Sequence, residues 1–201
     1  MYYLSGCFSN ELINERIPRV GVMSSPDIGN RIPQGMVWAA DNGCYSQGKN
    51  FKLTKFMDWL TEHEQKKTCL WAVAPDVVGD ASATITRSLP VLPQIREMGY
   101  AAAMTAQDGL ESLDIPWDEF DCLFIGGTTA WKLSPAAWEI GVRAQERGKW
   151  LHMGRVNSER RFKAAMSRGC DSVDGTFLAF GPKKNWPILK RWLTWEPMGL
   201  T

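Results

Sequence analysis

The chain has 201 residues, 44% of them hydrophobic and 22% charged, which excludes a disordered chain and fits a single domain, residues 1–201, with a full core. Its 23 Lys and Arg against 22 Asp and Glu leave a net charge of +1; this excludes a uniformly basic, histone-like surface and leaves room for a local basic groove. Cys7, Cys44, Cys69, Cys122 and Cys170 lie far apart with no C-x-x-C, and His63-Glu64 lacks the rest of H-E-x-x-H, so buried free thiols are expected rather than a disulfide framework or a zinc site.

Short apolar runs punctuate the chain at residues 2–5, 20–23, 37–40, 70–74, 101–105, 122–125, 150–153 and 171–173. Runs this short and this apolar suit parallel strands buried on both faces. Helix signals fill the gaps. Residues 53–65 carry Phe56, Trp59 and Leu60 at helical spacing. Asp80 is placed to cap a helix through Arg87, and Pro90 and Pro93 break or kink the chain beyond it. Ser134-Pro135 puts a cap before a proline at the first helical position, and Gly148 stops that helix. Ser158 starts a short helix that Gly169 closes, and residues 185–195 read as a last amphipathic helix. Residues 10–19 and 108–119 look irregular. Strands alternating with helices predict an α/β fold, and eight runs predict a compact (β/α)8 TIM-type barrel; an open doubly wound sheet is the alternative. The N-terminus has no basic region followed by an apolar one, and no run is long enough to span a membrane, so a cytoplasmic protein is expected.

Polar residues follow these runs: Asp41-Asn42-Gly43, Asp76, Gln107-Asp108-Gly109, Gly126-Gly127-Thr128, Gly154-Arg155 and Asp174-Gly175-Thr176. In a barrel the C-terminal strand ends meet on one face, where catalysis occurs. Glycine and aspartate after a strand are also ordinary turn and cap residues. Turns alone do not require a carboxylate at three of the six ends, so a shared site is the better reading.

In order, Asp41-Asn42-Gly43-Cys44-Tyr45-Ser46, Ala74-Pro75-Asp76, Ala106-Gln107-Asp108-Gly109, Ile125-Gly126-Gly127, Met153-Gly154 and Gly169-Cys170-Asp171-Ser172-Val173-Asp174 resemble the motif series of the tRNA-guanine transglycosylase superfamily, barrel enzymes that exchange a nucleobase on a ribose. The motifs are short, and their order on successive strands carries the resemblance. It implies Asp174 as the nucleophile at the anomeric carbon and Asp41 as the general acid/base for the departing and arriving base. It also implies Asp76 on the Watson–Crick edge of a guanine-like base, with Gln107 and the Gly126-Gly127 backbone on its carbonyl side. Chemistry makes these roles reasonable. Cleaving an N-glycosidic bond builds positive charge on the sugar that a carboxylate captures. A purine leaves badly as an anion and needs an acid. A third carboxylate selects a donor-rich base edge.

The departures from the pattern shape the expectation. No Cys follows Cys170 and no His follows His152, so the family's zinc subdomain has no counterpart; no metal and no cofactor are expected. Cys44, Ser46 and Trp131-Lys132 stand where the family has a glycine, a glutamine and a glutamate. The tRNA-gripping extensions have no counterpart either, so the resemblance is greatest to small phage-type members that insert 7-deazaguanine bases into DNA. The expected partners are nucleic acid, DNA favoured over tRNA, with a free nucleobase as co-substrate if bases are exchanged. A hydrolytic glycosylase and a non-catalytic base-binding barrel are the alternatives. Arg155, Asn157, Arg160 and Arg161 are the candidate phosphate contacts, since barrels often bind phosphate near strands seven and eight. For Lys163 and Arg168 a solvated helix face is the better reading. Lys183, Lys184, Lys190 and Arg191 form a second basic group. Trp131 is a candidate for stacking on a flipped base; Trp38 and Trp71, within strands, are expected in the core.

Overall fold

Eight strands close on one another in chain order as a parallel barrel: β1 Tyr2–Ser5, β2 Val20–Ser24, β3 Trp38–Ala40, β4 Cys69–Val73, β5 Ala102–Ala106, β6 Cys122–Ile125, β7 Trp150–Met153 and β8 Ser172–Gly175. The computed structural model describes residues 1–6, 18–29 and 31–195. The seam is a full parallel pairing of β1 with β8, with Leu4 beside Asp174. The expected barrel is therefore the observed one, and the open sheet is not.

Alternation along each strand divides the core in two. Leu4, Met23, Ala39, Trp71, Val73, Ala103 and Cys122 fill the barrel interior. A larger cluster, including Tyr3, Val22, Trp38, Phe56, Leu60, Leu123 and Leu151, lies outside the barrel wall. Small residues on β3 and β5 leave room for the fully buried Trp71, so one indole occupies the space several aliphatic side chains would need. Trp38 is buried too, in the outer layer, with His63 stacked on it at 4.1 Å.

The described α-helices are α1 Cys44–Gln47, α2 Leu53–Glu62, α3 Ala81–Ser88, α4 Leu92–Glu97, α5 Thr129–Lys132, α6 Pro135–Glu146, α7 Glu159–Ser167 and α8 Pro182–Leu193. Asp80, Ser134 and Ser158 each accept from a first-turn N–H, at Ala83, Ala137 and Arg161, as capping requires. Pro90 separates α3 from α4, and Pro93 sits in the first turn of α4, where its missing N–H costs nothing. Two differences from expectation have local causes. Helix α2 stops at Glu62 because His63 turns extended and stacks on Trp38. Helix α8 begins at Pro182, three residues before the expected start, and tolerates Pro187 inside it. The stretch 108–119 forms two single 3-10 turns, Leu110–Ser112 and Trp117–Glu119. Of the other irregular stretch, residues 10–17 lie outside the described residues, as does Cys7. Cys44, Cys122 and Cys170 are buried free thiols and Cys69 is a half-buried one. No described helix is long and apolar enough to cross a membrane.

Candidate functional site: a carboxylate-lined barrel mouth

Because the eight strands run parallel, their C-terminal ends share one face. Asp41 follows β3, Asp76 lies three residues past β4 and Asp174 is the third residue of β8. The negative charges of Asp174 and Asp76 both act on Asp41, so Asp41 lies within electrostatic reach of both. The Gly43 N–H donates to Asp41 Oδ1 at 3.1 Å, and the Asn42 N–H also acts on the carboxyl. Burial is the main force on it, the two neighbouring carboxylates add to it, and its carboxyl is pushed up to about 6.

Asp76 sits in a side-chain network across four strands. Asn42 Nδ2 donates to Asp76 Oδ1 at 3.1 Å and to the Ala74 carbonyl at 2.9 Å. Gln107 Nε2 donates to Asp76 Oδ2 at 2.6 Å, while Gln107 Oε1 accepts from the Gly79 and Gly127 N–H groups, both at 2.9 Å. The acceptor and donor ends of Gln107 are thus oriented by their partners. Burial raises the Asp76 carboxyl, and the Asn42 and Gln107 bonds oppose it. Each carboxylate oxygen retains a further lone pair for an N–H of a bound base.

Asp174 is held through one oxygen. His152 Nε2 lies 3.0 Å and the Arg155 backbone N–H 3.3 Å from Oδ1. His152 is fully buried inside the barrel against Trp71 and Phe124; burial lowers its affinity for a second proton, against the pull of Asp174. Lys132 is fully buried as well, with Nζ 2.7 Å from the Gly154 carbonyl. Burial first, then the Arg155 charge, pushes its ammonium down to about 7. Cys44, pushed up to about 11 by burial, is a poor nucleophile at neutral pH.

The remaining candidate residues take varied positions. Arg155 is half-buried at the mouth, its guanidinium donating to the Gly127 carbonyl and lying 5.4 Å above the exposed Tyr45 ring. Arg161 Nη1 donates to the Arg155 carbonyl at 3.1 Å, and Arg160 on α7 is exposed. Asn157 Oδ1 accepts from the Thr176 N–H at 2.7 Å, which ties the loop after β7 to the loop after β8. Gly126 and Gly127 are small for the protein's own sake: a Cβ on Gly126 falls 2.5 Å from the Thr105 methyl, and one on Gly127 falls 2.5 Å from the Trp131 ring. Gly175 likewise faces the Val156 carbonyl and Tyr3 hydroxyl rather than open space. Trp131 is buried against Gly127, with its Nε1 donating to Glu111 at 2.8 Å. Lys163 pairs with Glu159 at 2.8 Å and Arg168 covers Trp138 at 4.3 Å, as solvated helix faces do.

Sequence reasoning missed His152 and Ser172 and gave Asn42 and Lys132 no role. A signal existed for the first two. Trp150 and His152 alternate on β7 as Ser172 and Asp174 do on β8, and polar residues at inward strand positions need partners. Among the described residues no three His, Cys, Asp or Glu side chains are grouped to hold a metal ion.

No family model matches the chain and no curated protein matches it. Among solved structures it is similar to one described as PaMucR phosphodiesterase in a c-di-GMP complex, with a TM-score of 0.44, 14% identity and 71% of this chain covered. The chain spans 60% of that structure's length. The fold and site together define a closed (β/α)8 barrel with a three-aspartate mouth.

Proposed function

We propose that the protein cleaves the N-glycosidic bond of a guanine-like or 7-deazaguanine-type base in nucleic acid, DNA rather than tRNA, and exchanges that base. The observation that carries this reading is the contrast between two carboxyls of one mouth. Asp174 Oδ1 faces the His152 ring nitrogen and the Arg155 N–H, whereas the Asp41 carboxyl is pushed up to about 6, chiefly by burial and with its acidic neighbours adding to it, against the Gly43 and Asn42 N–H groups. A carboxyl raised toward neutral pH is suited to give up a proton to a departing base, which leaves its neighbour Asp174 to attack the sugar.

In the forward step an Asp174 oxygen forms a bond to C1′ as the C1′–N bond breaks. The bonding pair leaves with the base, and the Asp41 proton goes to that base. The ring nitrogen of an incoming base then supplies an electron pair to C1′ as the C1′–O ester bond breaks; that bond's pair returns to the Asp174 carboxylate, and the base's proton passes to the Asp41 carboxylate. Water in place of the incoming base gives hydrolysis by the same two residues. Asp76, held open by Asn42 and Gln107, accepts from the N–H groups of the base edge. Arg155 and the exposed Arg160 supply positive charge for the backbone phosphates at the rim.

The test is incubation with DNA and tRNA, unmodified and 7-deazaguanine-modified, with and without free guanine-type bases, followed by nucleoside mass spectrometry. The reading expects replacement of the base in DNA. Base loss without replacement makes the enzyme a glycosylase, and unchanged nucleosides with folded protein overturn the reading.

A further inference from the structure

Asp174 Oδ1 is the meeting point of two hydrogen-bond chains, one running through the barrel interior by way of the buried His152 and one starting from the buried Lys132. The first runs down the barrel interior. Trp150 Nε1 lies 2.8 Å from Ser172 Oγ, Ser172 Oγ lies 2.8 Å from His152 Nδ1, and His152 Nε2 lies 3.0 Å from Asp174 Oδ1. Donor accounting sets its direction. An indole N–H only donates, so Ser172 Oγ accepts from Trp150. A carboxylate only accepts, so His152 must present N–H at Nε2. A neutral imidazole then has a bare Nδ1, which takes the Ser172 hydroxyl hydrogen. Burial of the ring lowers its proton affinity and keeps it neutral. Every hydrogen in the chain points toward Asp174.

The second chain passes through a peptide bond. Lys132 Nζ donates to the Gly154 carbonyl at 2.7 Å, and the N–H of that same peptide unit, on Arg155, points at Asp174 Oδ1 from 3.3 Å. An amino or ammonium donor on the carbonyl polarises the peptide unit and strengthens its N–H as a donor, most when Lys132 is protonated. The turn that aims this N–H inward requires Arg155 at φ 60°, a left-handed conformation that a side chain with a Cβ rarely adopts. Three ties hold it there: the Arg155 guanidinium on the Gly127 carbonyl, the Arg161 guanidinium on the Arg155 carbonyl, and the Val156 N–H on the Asp174 carbonyl. Among the described residues, both side-chain bonds of Asp174 fall on Oδ1 and none falls on Oδ2.

We propose that His152 and Lys132 are positioning residues for the nucleophile: together they pin Asp174 Oδ1 and leave Oδ2 as the attacking oxygen. This rests on the assignment of Asp174 as nucleophile, but the hydrogen-bond chains themselves do not.

The test therefore has two arms. In the first, imidazole 1H–15N correlation spectra of the full chain read the His152 tautomer. The Nε2–H form is expected, and Asp174→Asn should shift its Nε2 resonance. An Nδ1–H tautomer or an imidazolium at neutral pH overturns the proposal. Lys132→Met, which keeps the stem and removes the charge, should move the Arg155 amide proton upfield; an unmoved signal overturns the second chain. In the second arm, base release is followed under saturating and limiting DNA. His152→Phe should lower kcat about 100-fold with KM within about 2-fold, and His152→Gln, which restores an N–H, should recover most of that loss. Equal rates for folded His152→Phe and wild type overturn the positioning role. A wild-type protein without base release, combined with the expected spectra, refutes the nucleophile assignment and leaves the chains standing.

Discussion

Replacing Asp41 by Asn isolates the physical basis of the proposed acid. The carboxyl rises from 3.8 to about 6 because the fold buries it beside two other carboxylates. A rise of roughly two units corresponds to a ceiling of about 3 kcal/mol, and partial solvent access to the mouth reduces the expected cost to about 1–2 kcal/mol. The sign comes from linkage. A group whose folded-state value lies above its unfolded one contributes its full stability below about pH 4 and loses it as the pH climbs through about 6. Asparagine does not titrate. Asp41→Asn should therefore be more stable than wild type at pH 8 by about 1 kcal/mol more than at pH 4.5, roughly 2–4 °C in Tm for a domain of this size. Urea or thermal unfolding at the two pH values measures it. A stability difference independent of pH, or a variant that is less stable at pH 8 than at pH 4.5 relative to wild type, refutes the account of Asp41 as a half-buried acid with a raised carboxyl. The same shift matters for catalysis. With a value of about 6, about one tenth of Asp41 carries its proton at pH 7, against roughly one in a thousand for an ordinary aspartate.

Asp174→Asn should lose turnover by about a thousandfold or more while nucleic-acid binding, read by fluorescence anisotropy, stays within a few-fold, because the amide keeps the shape and loses the charge. Asp41→Asn should also be slow, but a leaving base that needs no protonation should partly restore its rate and not that of Asp174→Asn. Asp76→Asn should change the ranking of bases more than it lowers the rate on the best one, since it turns an acceptor into a donor; a uniform loss on every base places Asp76 in the cleavage step. Gly175→Ala should destabilise the fold by about 1–3 kcal/mol in thermal unfolding, because the new methyl meets the Val156 carbonyl at 2.5 Å and the Tyr3 hydroxyl at 2.6 Å.

The barrel was legible because its strands are short, apolar and evenly separated by capped helices. Asp80, Ser134 and Ser158 all cap as their sequence context predicts. The polar strand ends were legible too, since one topological rule sends them all to one face. The interior contacts were not. Strand alternation points His152 inward, but nothing in the order of residues shows that it meets Trp71 or that Lys132 reaches under Gly154, because both depend on barrel radius and strand stagger. The glycines were legible as small residues but not for the reason that holds. Gly126, Gly127 and Gly175 make way for neighbouring protein atoms. Trp131, a candidate for stacking, is buried beneath Gly127, because α5 starts immediately after the Gly pair and folds its indole back against it.

The central claim, attack by Asp174 on the anomeric carbon, is tested most directly by trapping the ester. DNA whose target nucleotides carry a 2′-fluorine, which slows breakdown of a glycosyl ester, is mixed with the protein and the products are mapped by peptide mass spectrometry. The account predicts a protein–DNA adduct whose added mass lies on Asp174 and disappears in Asp174→Asn. An adduct on another residue, or base release from that DNA with undiminished rate in Asp174→Asn, contradicts it.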